Sequence, residues 1–191
     1  MMKSYLFLAT GFEEIEAIST IDILRRANME VVTISISETY EVSGAHGVSI
    51  LADKLFSETD FSDASWLILP GGLPGAANLA EYKPLTDLII KQNELGKGIA
   101  AICAAPALVL GVIGLLDQKV ATCYPGFEDK MLGSKHTIEP VVTDGNIITA
   151  NGPATTFKFA LAIVTEELGE STAQEVAGGM LLYPQQPTYY F

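Results

Sequence analysis

The sequence predicts a doubly wound α/β domain, in which helices cover both faces of a mostly parallel sheet. Short apolar runs alternate with amphipathic stretches of about 10–15 residues, which is the pattern of consecutive βαβ units. The chain has 191 residues, 49% of them hydrophobic, which is enough for one domain with a sizeable core. No repeat, linker or low-complexity segment divides it, so residues 1–191 are expected to form a single domain.

The elements follow from hydrophobic periodicity and turn residues. Apolar runs bounded by turn residues predict buried strands at Ser4–Ala9, Glu30–Ile36, Ser65–Pro70 and Ile99–Ile102. Helical spacing predicts helices at Glu13–Asn28, Pro84–Gly96, Pro106–Val112 and Pro153–Gly169, the last with Phe157, Leu161 and Val164 on one side. Hairpins are predicted at residues 40–50 and, around Asp144-Gly145, at residues 138–150.

Charge and cysteine content exclude several classes of function. The chain carries 11 basic and 23 acidic residues, a net charge of −12, and so lacks the basic surface that nucleic acids or anionic membranes require. Two cysteines do not form a disulfide framework and suit a reducing cytoplasm. The N-terminal apolar run is too short for a signal peptide, and no segment approaches the ~18 apolar residues of a membrane span. We expect a cytoplasmic protein without nucleic-acid or membrane partners.

The chemistry centres on Cys103, where the strand ending at Ile102 passes directly into the helix that begins near Pro106. This strand–Cys–helix turn is the cysteine form of a nucleophile elbow, with Ala101 and Ala105 as the small flanking residues. A position at a helix N-terminus stabilises a thiolate and should lower the pKa of Cys103. The alternative is that Cys103 is a buried small hydrophobic residue.

Two other loops are expected to converge on this elbow. They follow the strands at residues 4–9 and 65–70, and the carboxyl ends of neighbouring parallel strands share one crevice. The backbone N–H groups of Gly72, Leu73 and Ala104 are therefore candidates for an oxyanion pocket. The alternative for "PGGLPG", Pro70–Gly75, is a tight loop that binds nothing.

Four segments, "GFEEIEA", "LPGGLPGAANL", "AAICAAP" and "NGPATTFKFALAIV", together resemble the ThiJ/PfpI superfamily. The similarity spans about residues 1–168 and is closest to the branch of the parkinsonism-associated deglycase and its bacterial relatives. The resemblance implies a flavodoxin-like domain, usually a homodimer, with a reactive cysteine at the elbow. It also places a glutamate of the first helix beside that cysteine, which here is Glu16. The apolar tail, Leu181–Phe191, is expected to pack on the domain or on a dimer partner.

Sequence alone does not select Glu16, because Glu13, Glu14 and Glu16 all fall in the first turn of a predicted helix, where each could be a solvated charge. The family match makes the selection. An ionised carboxylate beside the sulfur would raise the pKa of Cys103, whereas a protonated one would donate a hydrogen bond to the thiolate. We therefore expect a neutral Glu16 with a raised pKa.

The remaining candidates are distinguished by comparison with branches of the superfamily. The PfpI-type peptidase branch has a histidine directly after the nucleophile, where this chain has Ala104, and His136 is expected in a surface loop. The deglycase branch has a histidine near the position of Tyr124 and an arginine near that of His46, so both are candidates for lining the pocket. Cys123 is either a packed thiol or a second pocket thiol.

These features predict an enzyme that needs neither a metal nor an organic cofactor. The Cys103 thiolate attacks an aldehyde such as methylglyoxal, Glu16 moves a proton between the two carbons of the hemithioacetal, and hydrolysis gives lactate. A deglycase would use the same steps on hemithioacetals or aminocarbinols. The alternatives are an oxidation-sensing or chaperone-like binding protein that uses Cys103 without turnover and, least favoured, a cysteine peptidase or amidase. The expected partners are a small aldehyde and a second copy of the chain.

Overall fold

The structure, a computed structural model, describes residues 3–182. Its strands are β1 (Lys3–Leu8), β2 (Val31–Ser35), β3 (Glu41–Ser43), β4 (Ser49–Leu51), β5 (Lys54–Leu55), β6 (Ala64–Leu69), β7 (Gly98–Ile102), β8 (Val120–Ala121), β9 (Lys135–His136), β10 (Val141–Asp144) and β11 (Ile147–Ala150). Its α-helices are α1 (Glu14–Arg26), α2 (Gly75–Glu81), α3 (Lys83–Glu94), α4 (Thr156–Leu168) and α5 (Glu170–Gly179). A π-helical segment spans Pro106–Gly111.

Within residues 3–182, seven strands form the main sheet in the order β10-β11-β7-β6-β1-β2-β5. Every neighbouring pair is parallel except β10 with β11 at one edge. The chain runs outward from β1 through β2 and β5, then returns to β6 on the other side of β1. Strand order therefore reverses between β1 and β6, and the crevice above their carboxyl ends is where such sheets bind ligands.

The central strands are buried on both faces, as a parallel sheet covered by two helical layers requires. Every residue of β6 is buried, and so is every residue of β1 after Lys3. Helix α4 packs against α1 and α5, while α2 packs against α3 and the π-helical segment. The predicted doubly wound, flavodoxin-like α/β fold is confirmed.

Both predicted hairpins form, but in different places. The pair β10–β11 joins the edge of the main sheet, with Gly145 in the left-handed region at φ +63°. The pair β3–β4 is a separate two-stranded ribbon outside that sheet. The ribbon is held to the first loop, which joins β1 to α1, by two backbone hydrogen bonds. Gly11 N donates to Ser43 O at 2.8 Å, and Ala45 N donates to Phe12 O at 2.8 Å.

Several elements differ from the sequence prediction. Helices α2 and α5 were not predicted, because Pro74 indicated a loop and Gly169 indicated the end of the helical region. Proline is compatible with the start of a helix, and Gly169 at φ +88° redirects the chain into a further helix. Phe157 does not share the buried side of α4: it is 38% exposed, and Phe159 fills the core instead.

The structure describes only the first two residues of the predicted C-terminal tail, Leu181 and Leu182. Leu181 is 77% exposed, and Leu182 packs partly against the core. The rest of the predicted packed tail, residues 183–191, lies outside the described residues. Within the described chain, none of the helices combines the length and the apolar character needed to cross a bilayer.

Candidate active site

The loops that follow β1 and β6 are joined by backbone hydrogen bonds at the carboxyl end of the sheet. Gly75 N donates to Gly11 O at 3.1 Å, and Glu13 N donates to Gly71 O at 3.0 Å. Gly72 lies between them at φ +89°, and a Cβ there would collide with the backbone of the first loop. Glycine is thus required by both backbone conformation and space. The predicted convergence of these loops is present.

Cys103 occupies a nucleophile elbow. Its φ is +64°, a left-handed conformation that is uncommon for a residue with a side chain and is found most often at functional sites. Its N–H donates to Ala150 O at 2.9 Å, and its carbonyl accepts from Tyr124 N at 2.8 Å. The two flanking alanines predicted to permit the turn, Ala101 and Ala105, are fully buried. The strained residue is the cysteine itself, which is only 7% exposed but borders a cavity.

Glu16 lies beside Cys103, as the resemblance implied. It is 0% exposed, and its Oε2 accepts a hydrogen bond from Gly71 N at 2.7 Å. A Cβ added to Gly71 would lie 2.6 Å from the Cβ of Cys103 and 2.8 Å from Oε2 of Glu16, so both side chains border the same glycine. The Oε1 atom is buried and, within the described chain, has no hydrogen-bond partner. A proton on Oε1 is therefore available to the neighbouring sulfur.

The expected neutral Glu16 agrees with its surroundings. Burial raises the pKa of Glu16 to about 7, an effect larger than the opposing ones of the Gly71 N–H and the Cys103 thiol. Near neutral pH a large fraction of Glu16 therefore carries a proton, unlike an ordinary glutamate.

The expected lowering of the Cys103 pKa is not what the structure gives. Burial first, and then the negative carboxylate of Glu16, raise the pKa of Cys103 to about 12, although the backbone N–H groups of Gly72 and Ala104 act in the opposite direction. The charge of Glu16 disappears when Glu16 takes the proton, which leaves the two N–H groups to stabilise the sulfur. The thiol and the carboxyl group therefore influence each other's protonation.

An open cavity of about 360 Å³ lies above this pair. Its lining comprises predicted and unpredicted site residues, namely Glu13, Ala45, His46, Gly72, Leu73, Cys103, Ala104, Tyr124 and Phe127. Of the three predicted oxyanion residues, Gly72 and Ala104 direct their N–H groups at Sγ, whereas Leu73 contributes a side chain that is 54% exposed.

One predicted candidate, Cys123, lies elsewhere, and His136 was expected outside the site. Cys123 is 2% exposed, does not line this cavity, and its Sγ donates to Tyr124 O at 3.4 Å. The packed-thiol alternative therefore fits its position better than the pocket-thiol alternative. His136 is exposed, as expected, but belongs to strand β9 and not to a loop.

The two other glutamates of the first turn are not the solvated charges that sequence reasoning allowed. Glu13 and Glu14 are both 7% exposed. Glu13 is the N-cap of α1, and its Oε2 accepts from Glu16 N at 2.8 Å, which fixes the start of the helix. Glu14 binds the segment that carries His46. The residue that permits this contact between Glu14 and the His46 segment is Gly44, because a Cβ at that position would collide with the Glu14 carboxylate.

Glu13, Glu14 and His46 are also where a cation could bind. Each offers one ligand atom, and these atoms lie within 4.8 Å of one another. A metal there would have to replace the 2.8 Å contact between His46 Nδ1 and Glu14 Oε2. No step of the chemistry below depends on such an ion.

The fold and the site define a flavodoxin-like α/β protein whose cysteine elbow faces a buried glutamate. The model of the DJ-1/PfpI family matches residues 2–166, and the chain belongs to this family. Protein DJ-1 homolog B of Arabidopsis thaliana is 40% identical over 189 residues, 98% of this chain and 43% of the relative. Glutathione-independent glyoxalase DJR-1.2 of Caenorhabditis elegans is 38% identical over 154 residues, 80% of this chain and 81% of the relative.

Among solved structures, oxidized DJ-1 of Toxoplasma gondii matches with a TM-score of 0.91 at 36% identity, covering 95% of this chain and 98% of that one. The chain spans less than half the length of the Arabidopsis relatives, 43% and 46%. The predicted superfamily resemblance is confirmed.

The raised pKa of Glu16 predicts a specific pH dependence of stability. A carboxyl group whose pKa rises from 4.5 to about 7 on folding stabilises the fold fully below pH 4.5, and this contribution is lost as pH rises toward 7. Glu16→Gln removes the ionisation, so it should raise the melting temperature relative to wild type more at pH 8 than at pH 5. Thermal unfolding at both pH values measures this. The exposed Glu94→Gln is the control, and an equal effect of Glu16→Gln at both pH values would contradict the assignment.

The elbow also predicts which thiol oxidises first. Cys103 borders the open cavity with two N–H groups near Sγ and the Glu16 carboxyl group beside it, whereas Cys123 is enclosed and lies outside the cavity lining. Mild peroxide should therefore add two oxygens to Cys103 before it modifies Cys123. Glu16→Leu should slow this step, and Cys123→Ser should not. Peptide mass spectrometry decides, and earlier oxidation of Cys123 or an immediate disulfide would refute the site chemistry.

Proposed function

We propose that this chain is a cysteine-dependent glyoxalase, with deglycase-like activity by the same steps, that acts on small reactive aldehydes such as methylglyoxal. The observation that carries the proposal is the pairing of a thiol that lines an open cavity with a buried, proton-carrying carboxyl group across Gly71. A hemithioacetal needs a nucleophile and an adjacent group that takes and returns a proton near neutral pH. The pKa of Glu16, about 7, suits that second role.

The reaction divides between the two residues. Transfer of the thiol proton to Glu16 gives the Cys103 thiolate, which adds to the aldehyde carbon, and the new oxyanion takes a proton to complete the hemithioacetal. The ionised form of Glu16 then removes the hydrogen of that carbon and returns it to the neighbouring carbon, while the proton of the hemithioacetal hydroxyl passes to the ketone oxygen. Hydrolysis of the resulting thioester releases lactate. The N–H groups of Gly72 and Ala104 are the candidate donors for the oxyanion.

A relative's name supports the chemistry, since the C. elegans protein that covers 80% of this chain is called a glutathione-independent glyoxalase.

A second candidate function, oxidation sensing, is supported by the N–H groups of Gly72 and Ala104, because a sulfinate on Cys103 would receive their hydrogen bonds. The peptidase alternative is weaker, because Ala104 follows the nucleophile and His136 is absent from the cavity lining. Two free cysteines also favour a reducing cytoplasm as the location.

Lactate formation from methylglyoxal tests the proposal. The wild-type chain should produce lactate without added metal, glutathione or other cofactor. Cys103→Ser should abolish turnover, and Glu16→Gln should reduce it by about 100-fold or more, as expected when a proton-transfer group is lost. Cys123→Ser serves as the matched control and should retain activity. Unchanged turnover in Cys103→Ser, or none in the wild type, would refute the glyoxalase; oxidation of Cys103 without any turnover would favour the sensor.

A homodimer is proposed on the apolar surface formed by α1 and β4. Four side chains there are between 42% and 74% exposed, namely Ile15, Ile18, Val48 and Leu51. Ile18 and Leu51 line one groove with the partly buried Ile21 and Ile50. Exposed large apolar side chains near one another are typical of an interface between protein chains, and the same groove also carries Asp22, Arg25 and Asp53. A second copy seated here would cover the outer side of α1, the helix that supplies Glu16.

The dimer predicts a position-specific effect. Leu51→Glu and Ile18→Glu should convert a dimer into a monomer, because each places a charge in an apolar interface. The matched control is Leu132→Glu, which alters a residue of similar exposure, 66%, in another part of the chain. Light scattering coupled to size-exclusion chromatography measures the mass. A monomeric wild type, or dimers in all three variants, would contradict this interface.

A further inference from the structure

Glu14 holds the segment that carries His46 from inside the protein. Its Oε1 accepts from the N–H of His46 at 2.6 Å and from the N–H of Val48 at 3.4 Å, and its Oε2 lies 2.8 Å from His46 Nδ1. The carboxylate is 7% exposed, and the absent side chain of Gly44 leaves space for it. A buried carboxylate is costly unless its oxygens are satisfied. Here they are satisfied by the backbone and ring of one short segment, so the imidazole has a defined position.

This contact also fixes the tautomer of His46. An ionised carboxylate only accepts hydrogen bonds, so Nδ1 carries the hydrogen and Nε2 is left free for other contacts. A carboxylate on one ring nitrogen with the other nitrogen free is the arrangement of acid–base histidines in hydrolases. His46 lines the same cavity as Cys103, and its side chain is 72% exposed. Its free nitrogen is thus accessible to a molecule bound at the sulfur.

We propose that His46 is a second proton-transfer residue of this site, which serves the ketone oxygen of a 2-oxoaldehyde bound to Cys103, and that Glu14 positions it. This inference rests on the glyoxalase proposed above and extends it. The substrate class that follows is an aldehyde with a carbonyl group on the adjacent carbon, since a simple aldehyde has no oxygen for His46 to serve.

Cys103, Glu16 and His46 together account for every proton that moves in the reaction. Sγ of Cys103 bonds to the aldehyde carbon, whose oxygen becomes a hydroxyl. Glu16 then removes the hydrogen of that carbon while protonated His46 gives its proton to the ketone oxygen, which forms an enediol. Glu16 returns its proton to the second carbon, and His46 recovers a proton from the first carbon's hydroxyl, which leaves a thioester. Water cleaves the thioester to lactate and restores the thiol, so one carbon is oxidised and its neighbour is reduced without an external oxidant.

The charges around His46 favour its acidic form. The titratable groups that face it are Glu13 and Glu14 from α1 and, across the cavity, Cys103 and Tyr124. The hydrogen bond to Glu14 and then the Glu14 charge raise the pKa of His46 above 6.5. Burial opposes the ionised form of Glu14, but the hydrogen bonds from His46 and Val48 still lower its pKa. These contacts therefore favour the imidazolium form of His46 beside a carboxylate on Glu14.

Tyr124 is the other candidate for this proton, since it stands near the branch histidine's position. The contacts that hold Tyr124 are made by its backbone and ring: its N–H donates to Cys103 O, and its ring packs edge-on against Phe127 with centroids 6.5 Å apart. A carboxylate orients the ionisable group of His46, whereas these contacts of Tyr124 do not involve its hydroxyl. His46 is thus better prepared for proton transfer.

Steady-state kinetics with methylglyoxal between pH 5 and 9 test the inference. His46→Gln should lower kcat by about 100-fold with KM changed less than about threefold. The wild-type kcat should fall at alkaline pH as His46 loses its proton, and that fall should be absent in His46→Gln. Glu14→Gln should move the fall to lower pH, because the charge that raises the His46 pKa is removed. The alkylation rate of Cys103 by iodoacetamide should stay unchanged in His46→Gln, which separates proton transfer from loss of the nucleophile.

Other outcomes overturn the inference in identifiable ways. Wild-type kcat and pH profile in His46→Gln, with Cys103→Ser inactive, would refute the role of His46 and leave the glyoxalase standing. Loss of turnover in Tyr124→Phe with normal turnover in His46→Gln would assign the proton to Tyr124. Full activity in His46→Arg would show that charge suffices and proton transfer does not occur. A wild type that forms no lactate refutes both proposals.

Discussion

The site depends on one buried contact, the hydrogen bond from Gly71 N to Glu16 Oε2 at 2.7 Å. It fixes a carboxyl group under the loop after β6 and beside the sulfur on the end of β7. Because Glu16 is fully buried, its ionised form is unfavourable, and this keeps a proton within reach of Cys103. An elbow without this carboxyl group would hold a buried thiol with no adjacent group to accept its proton.

Sequence periodicity was sufficient for the architecture because parallel strands buried on both faces appear as continuous apolar runs. The elbow could also be predicted, because an apolar strand that is followed directly by Cys103 and by a helix starting near Pro106 has few other interpretations. Helix α2 was missed because Pro74 and the surrounding glycines satisfy the rules for a loop as well as those for a helix start. Local signals of this kind do not determine which conformation the tertiary contacts select.

The electrostatics of the site were less predictable than its position. The effect of a helix N-terminus on a thiol is a local property, but the burial that outweighs it at Cys103 comes from distant parts of the chain. For the same reason Glu13 and Glu14 resembled surface charges, although the ribbon β3–β4 and the loop after β6 enclose them. Glu16 itself was selected by family resemblance, because three glutamates within four residues are equivalent until the fold distinguishes their directions.

The residues of the site come from two parts of the fold, the main sheet and the separate ribbon β3–β4. Cys103 and Gly71 lie at the ends of strands in the interior of the main sheet, whereas His46 belongs to a two-stranded ribbon outside it. Local opening requires least free energy where few apolar contacts are buried. The ribbon is nevertheless tied to α1 through Glu14, whose buried carboxylate would lose its partners if the ribbon moved away. One wall of the cavity therefore depends on a single carboxylate of α1, whereas the cysteine on the opposite side is held by the backbone of the main sheet.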